Sequence, residues 1–166
     1  LNQQHIMKAP VADLASALRE QLARLGVASD DQALLEGVAN AQRERCKTLK
    51  EMAQNSLYFF RDVQGYDSKA AGKNLTAAAA PVLQAVSRRL TELADWSAAT
   101  LHAAIDAAAL ELGLNLGKVA QPLRVAVTGG AVSPPIDQTL ALLGRERVLP
   151  RLARALQYIS DGLGHD

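Results

Sequence analysis

The sequence predicts an all-α protein made of two packed helical subdomains, and three observations carry that expectation. Hydrophobic residues make up 49% of the 166 residues and aromatics only 4%. The apolar content is therefore carried by Ala and Leu, which lose little side-chain freedom in a helix. These residues recur every three or four positions through most of the chain, the period of one helix face. No useful length alternates apolar with polar as a half-buried strand would.

Taken in order, Val11, Leu14, Leu18, Leu22 and Leu25 mark an amphipathic helix over 10–25, with Pro10 at its start and Gly26 just past its end. Asp30 or Asp31 can cap a second helix striped by Leu34, Leu35, Val38 and Ala41. A short helical stretch follows over 48–60, and the Gly-containing run 62–68 reads as a connection. Leu75, Ala79, Val82, Val86, Leu90 and Leu93 predict one long helix, which Pro81 either kinks or begins. Ser97 is a good N-cap for the next helix, carrying Leu101, Ile105, Ala108 and Leu112, and Gly113 is placed to end it. From Leu116 to Leu156 the pattern is of shorter helices broken at Thr128-Gly129-Gly130, at Ser133-Pro134-Pro135 and near Gly144. The change from long to punctuated helices places a subdomain boundary near 113–114. The expected layout is an N-terminal tail over 1–9, helical subdomains over 10–113 and 114–158, and a C-terminal tail over 159–166.

Several function classes find no support. Cys46 is the single cysteine and His5, His102 and His165 are scattered, so neither a disulfide framework nor zinc-ligand spacing exists. Metal binding is not expected. Dinucleotide, P-loop, nucleophile-elbow and zincin motifs are all missing. Cys46 has no adjacent base and reads as a small structural residue. No apolar run approaches the ~20 residues that span a bilayer, so a soluble, cytoplasmic protein is expected. Trp96, just before the Ser97 cap, reads as a core staple.

The net charge of +1 makes local clusters more informative than the total. Arg43, Arg45, Lys47 and Lys50 outweigh Glu44, and Arg145, Arg147, Arg151 and Arg154 outweigh Glu146. Arg147, Arg151 and Arg154 share a helical face. Either cluster suits phosphates, with Arg43, Lys47, Lys50, Arg147 and Arg151 as candidate contacts, and either can equally be a solvated helix face. Arg124 differs: it stands isolated in the apolar run Leu116–Gly129. A guanidinium held among apolar neighbours suits bidentate recognition of a base edge.

Longer motifs narrow the choice. Leu116-Gly117-Lys118-Val119-Ala120-Gln121-Pro122-Leu123-Arg124, Thr128-Gly129 and Leu140-Ala141-Leu142-Leu143-Gly144-Arg145-Glu146-Arg147 resemble the C-terminal region of bacterial glutamyl-tRNA synthetases. Arg43-x-Arg45, Thr48-Leu49-Lys50-Glu51 and the opening Leu1-Asn2-Gln3 resemble the same family in the same order. The resemblance covers nearly the whole chain.

It implies a helical cage that receives the unstacked anticodon loop of tRNA-Glu, a single-stranded target whose base edges are open to readout. It further implies that the catalytic domain, with its ATP and Mg sites, lies upstream of a fragment that has no cofactor and no ligase activity of its own. Residues 1–9 would then be the tail of the linker to that domain. By the same resemblance Arg45 lies near the third anticodon base, Arg124 contacts the anticodon, and Ser133, Pro134 and Ile136 line the site. The stretch around Ser133 departs from the family, which often has Thr there. An arginine at the Arg45 position goes with rejection of tRNA-Gln. A monomer that binds neither DNA nor membrane is expected. The alternative is a non-catalytic helical scaffold or protein-interaction bundle.

Overall fold

The computed structural model describes residues 2–163, so Leu1 and residues 164–166, which belong to the two expected tails, lie outside the described residues. Within them there are eleven α-helices and no strand. They fall into two compact units, 1–62 and 63–166.

The first unit holds α1 (Gln3–Lys8), α2 (Val11–Arg24), α3 (Gln32–Gln42), α4 (Leu49–Gln54) and α5 (Leu57–Phe60). Pro10 is the N-cap of α2, and the Asp31 carboxylate accepts from the Leu34 N–H at 3.1 Å to start α3. Leu14, Leu18 and Leu22 of α2 are buried against α3 and α4, with Leu35, Val38 and Met52 among the partners in this core. Within the expected N-terminal tail, residues 3–8 form α1, and Ile6 is fully buried. The single stretch expected over 48–60 is two short helices. They part at Ser56, where the buried Gln42 amide donates to the Asn55 carbonyl at 3.3 Å and to Ser56 Oγ at 3.2 Å.

The second unit holds α6 (Ser68–Asn74), α7 (Ala79–Thr91), α8 (Ala98–Leu112), α9 (Leu116–Thr128), α10 (Ile136–Leu143) and α11 (Arg145–Leu163). Of the helix expected from Leu75 to Leu93 the structure keeps α7, which begins near Pro81, while Leu75 is the C-cap of the separate short helix α6. Pro81 lies in the first turn of α7, where a missing N–H leaves no bond unmade. Ser97 and Thr100 cap α8 reciprocally, and Gly113 ends it in the left-handed conformation, φ +66°. Pro122 sits inside α9 and removes the bond that would reach the Lys118 carbonyl. Helix α11 runs on to Leu163, through much of the expected C-terminal tail.

The boundary at 62/63 differs from the one expected near 113–114. Gly113 turns the chain back so that α8 and α9 pack on each other, and α10 then packs on α8. A helix cap at that point reverses the chain within a unit rather than dividing two units. Leu83, Leu90, Leu101, Ile105, Leu123, Val125, Leu140, Val148 and Leu152 form the shared core.

Two cation clamps join helices at the surface of this unit. Arg145 donates to the carbonyls of Leu90 and Thr91 at 3.3 Å and to that of Leu93, and its guanidinium lies 5.0 Å from the Trp96 ring centroid. It thus adds side-chain donors to carbonyls at and just past the end of α7. Trp96 donates in turn to the Leu140 carbonyl at 2.9 Å, so its role as a staple is polar as well as apolar. Arg88 and Arg89 both bridge to Glu111, at 2.7 and 3.0 Å. The Arg88 hydrogen bond leads in holding the Glu111 carboxyl below its ordinary range.

Gly129 carries the closest backbone approach. Its φ is +85°, and a Cβ there would lie 2.8 Å from the Gly65 carbonyl oxygen and 3.0 Å from Val63. The Asp67 N–H donates to its carbonyl at 2.8 Å. Gly129→Ala is therefore expected to lose about 1–3 kcal/mol from backbone strain alone, with the clash adding to it. Gly72, inside α6 with open space around it, should show the opposite sign, Gly72→Ala gaining about 0.5–1 kcal/mol. Urea unfolding of both variants checks the pair, and equal midpoints would contradict this account of Gly129.

Candidate nucleic-acid interface

In the first unit the basic cluster follows α3. Arg43 is half-buried and its Nη2 donates 2.7 Å to the Ala9 carbonyl at the end of α1, so this guanidinium ties α1 to α3. Arg45, Lys47 and Lys50 are exposed, while Cys46 and Leu49 between them are buried. The alternation has a local cause. Thr48 caps α4 by accepting from the Glu51 N–H at 3.0 Å, and Glu51 reaches back to the Lys47 N–H at 3.2 Å. This near-reciprocal cap turns the basic side chains outward while Cys46 and Leu49 face the core. Burial, reinforced by the Glu51 carboxylate, pushes the Cys46 thiol up despite an Asn55 hydrogen bond and the Arg45 charge.

In the second unit the candidate residues gather at the end of α9, the loop 129–135 and the start of α10. Arg124 is half-buried. Its Nε donates to Ser133 Oγ at 2.8 Å and its Nη1 to Gln121 Oε1. Ser133 is buried and donates to the Pro134 carbonyl at 2.6 Å. Buried Thr139 donates to the same carbonyl at 3.0 Å and lies 3.3 Å from Ser133 Oγ. Gln121 Nε2 also reaches the Ala131 carbonyl at 3.4 Å. Thr128 Oγ1 bonds the Arg124 and Gly130 carbonyls at 2.8 and 3.1 Å. The guanidinium is thus fixed from two sides by groups that are themselves fixed, which lowers the entropy lost on binding a planar acceptor.

The structure sorts the expected residues unevenly. It brings Arg124, Ser133 and Pro134 into one node, with Ile136 buried at the first turn of α10 beneath it. Ser133, Pro134 and Ile136 shape the loop from below and show little surface. Arg151 departs from the expectation of a phosphate contact: it is 3% exposed, and its Nη1 donates 2.7 Å to the Val127 carbonyl near the end of α9. Because α11 packs on both α7 and α9, the face shared by Arg147, Arg151 and Arg154 is partly interior. Arg147 is half-buried, with a long 3.5 Å contact to the Leu143 carbonyl, and Arg154 is exposed. Gln121 and Thr139 escaped the sequence reading. Gln121 lies three residues before Arg124 on the same helix face, and that spacing was the available signal. For Thr139 no local signal exists.

Among the described residues no His, Cys, Asp or Glu cluster has the makeup of a metal site, and no helix is long and apolar enough to cross a membrane. What the fold and node define is a helical recognition module whose fixed polar groups suit a planar hydrogen-bonding partner. The chain belongs to the anticodon-binding domain family, whose family model matches residues 12–156. It is 52% identical over 159 residues to glutamate–tRNA ligase 1 of Alkalilimnicola ehrlichii, covering 96% of this chain and 34% of that protein. Glutamate–tRNA ligase 2 of Halorhodospira halophila is 45% identical over 164 residues, covering 99% and 35%. The chain thus spans about a third of the length of these curated relatives. Among solved structures, a glutamate tRNA ligase from Elizabethkingia meningosepticum, crystallised with its amino acid, superposes with a TM-score of 0.86 at 23% identity. That match covers 95% of this chain and 31% of the other, and supports the all-helical fold.

The two buried groups yield separate tests. Arg151→Met should destabilise the protein by about 1.5–3 kcal/mol by leaving the Val127 carbonyl unpaired, whereas exposed Lys50→Ala should stay within about 0.5 kcal/mol. Equal denaturation midpoints would remove Arg151 from its structural role. The Cys46 thiol should react with an aromatic disulfide reagent at neutral pH roughly tenfold or more slowly in the native than in the unfolded protein. Matching rates would contradict its burial.

Proposed function

We propose that this chain is the anticodon-reading module of a glutamate–tRNA ligase and that it takes the anticodon loop of tRNA-Glu. The ligation itself, with ATP and Mg, belongs to another part of that enzyme. The observation that carries the reading is the Arg124 guanidinium, held by Ser133 and Gln121 at the loop between α9 and α10. Arginine presents a planar fork of donors, which suits the acceptor edge of an unstacked base. Bases of a single-stranded loop can be turned outward to offer that edge, and a duplex hides it.

The exposed trio Arg45, Lys47 and Lys50 supplies charge on the first unit. Lys47 and Lys50 are point charges on flexible stems and suit phosphates. Arg45 is proposed to sit at the third anticodon base and to favour tRNA-Glu over tRNA-Gln. Arg43 and Arg151, already tied to carbonyls, contribute through the fold instead. Ser133, Pro134 and Ile136 act by setting the loop, with Ser133 also orienting Arg124.

Titrating labelled tRNA-Glu and an anticodon-swapped tRNA at two salt concentrations tests the reading. Native tRNA should bind more tightly, and both should weaken as salt rises because phosphate contacts release counterions. Arg124→Ala should lose about 1–3 kcal/mol of the preference for the native anticodon, whereas Lys50→Ala should weaken both tRNAs alike and shallow the salt slope by about one. Equal affinity for the two tRNAs would defeat the anticodon reading. Salt-insensitive behaviour with no tRNA bound would favour a scaffold instead. For Arg45, tRNA-Gln charging by the full-length ligase should rise in Arg45→Gln, and efficient charging by the wild type would refute its role.

A further inference from the structure

Val132 lies in the loop between α9 and α10 and is 75% exposed. Its two neighbours are both anchored to α9. The Ala131 carbonyl accepts from Gln121, and Ser133 Oγ accepts from Arg124. Ser133 and the following Pro134 are buried. The loop is therefore held on either side of Val132, and its side chain is presented outward at a fixed place.

A single exposed apolar residue is ordinary on a protein surface. This one is unusual in its setting. The side chains that hold its neighbours, Gln121 and Arg124, are the same ones that form the polar node. An apolar group whose χ1 is restricted by β-branching, next to a fixed fork of donors, matches the two chemistries of a nucleobase, an apolar face and a polar edge.

We propose that Val132 packs against the face of the unstacked base whose edge meets the Arg124–Gln121 pair, and so sets the depth at which that edge is read. The inference rests on the anticodon reading above and goes beyond it by assigning an apolar contact to a residue with no hydrogen-bonding side chain. Val132 is a positioning contact for the base and Arg124 the donor. Because the loop is pinned by Ser133, Pro134 and Thr139, shortening the Val132 side chain leaves the fold intact.

The test uses the 166-residue chain and anticodon stem-loops carrying 2-aminopurine at one anticodon position at a time. Val132→Ala should weaken stem-loop binding about fivefold through lost apolar burial, Val132→Asp more, and Val132→Ile should restore wild-type affinity. All three should melt with the wild type. The bound-state fluorescence should change between wild type and Val132→Ala at a single position of the anticodon. Making that position abasic should erase the affinity difference between the two proteins. If wild-type protein binds and Val132→Ala binds equally well, the inference falls and the anticodon reading stands. An affinity difference that survives the abasic substitution also overturns it, since Val132 would then touch something other than a base. If the wild-type chain binds no stem-loop at all, the underlying reading is what fails.

Discussion

The second unit depends on how α9 ends. A helix that stops inside a packed body leaves carbonyls to be satisfied and a chain to be redirected at once. Here Gly129 takes the left-handed conformation, its carbonyl receives the Asp67 N–H, and the Val127 carbonyl receives the buried Arg151 guanidinium. Thr128 closes the remaining turn through its hydroxyl. Everything beyond that point, including the loop, the first turn of α10 and the orientation of Arg124, is built on an end that has been fixed from three directions.

The arginines illustrate how little a charge count says about partners. Arg43, Arg145 and Arg151 all spend donors on backbone carbonyls, joining α1 to α3, α11 to the end of α7, and α11 to α9. Arginine suits such joints because several donors can meet carbonyls that point in different directions, and because the charge is spread and weakly hydrated. Of the original clusters, Arg45 and Arg154 are the exposed arginines, with the lysines Lys47 and Lys50 beside Arg45. Net charge near zero therefore conceals two populations, one tied into the fold and one exposed.

Much of the fold was legible because helix starts and stops are local chemistry. Asp31, Ser97 and Gly113 announce their ends in a window of a few residues, and the structure uses each as expected. Arg124 was legible as an oddity among apolar neighbours, and the motif around it named a family. The break at Ser56 and the short helix α6 were not legible, since each depends on a buried partner or a packing direction outside the window. Arg151 is the clearest case. A helical wheel shows which residues share a face but not how many neighbours cover that face, and α11 is covered by both α7 and α9. The division at 62/63 escaped for the same reason: a glycine cap is visible in sequence, whereas whether the next helix returns to the same core is not.

The hydroxyl of Ser133 has a further consequence. It carries one hydrogen, already directed to the Pro134 carbonyl, so towards Arg124 its oxygen can act only as acceptor. The Gln121 and Thr139 side chains are neutral at all accessible pH, and a guanidinium keeps its proton throughout. Donor and acceptor directions across Gln121, Arg124 and Ser133 are consequently independent of proton concentration. The node therefore keeps a single hydrogen-bond pattern for as long as the helices beneath it hold.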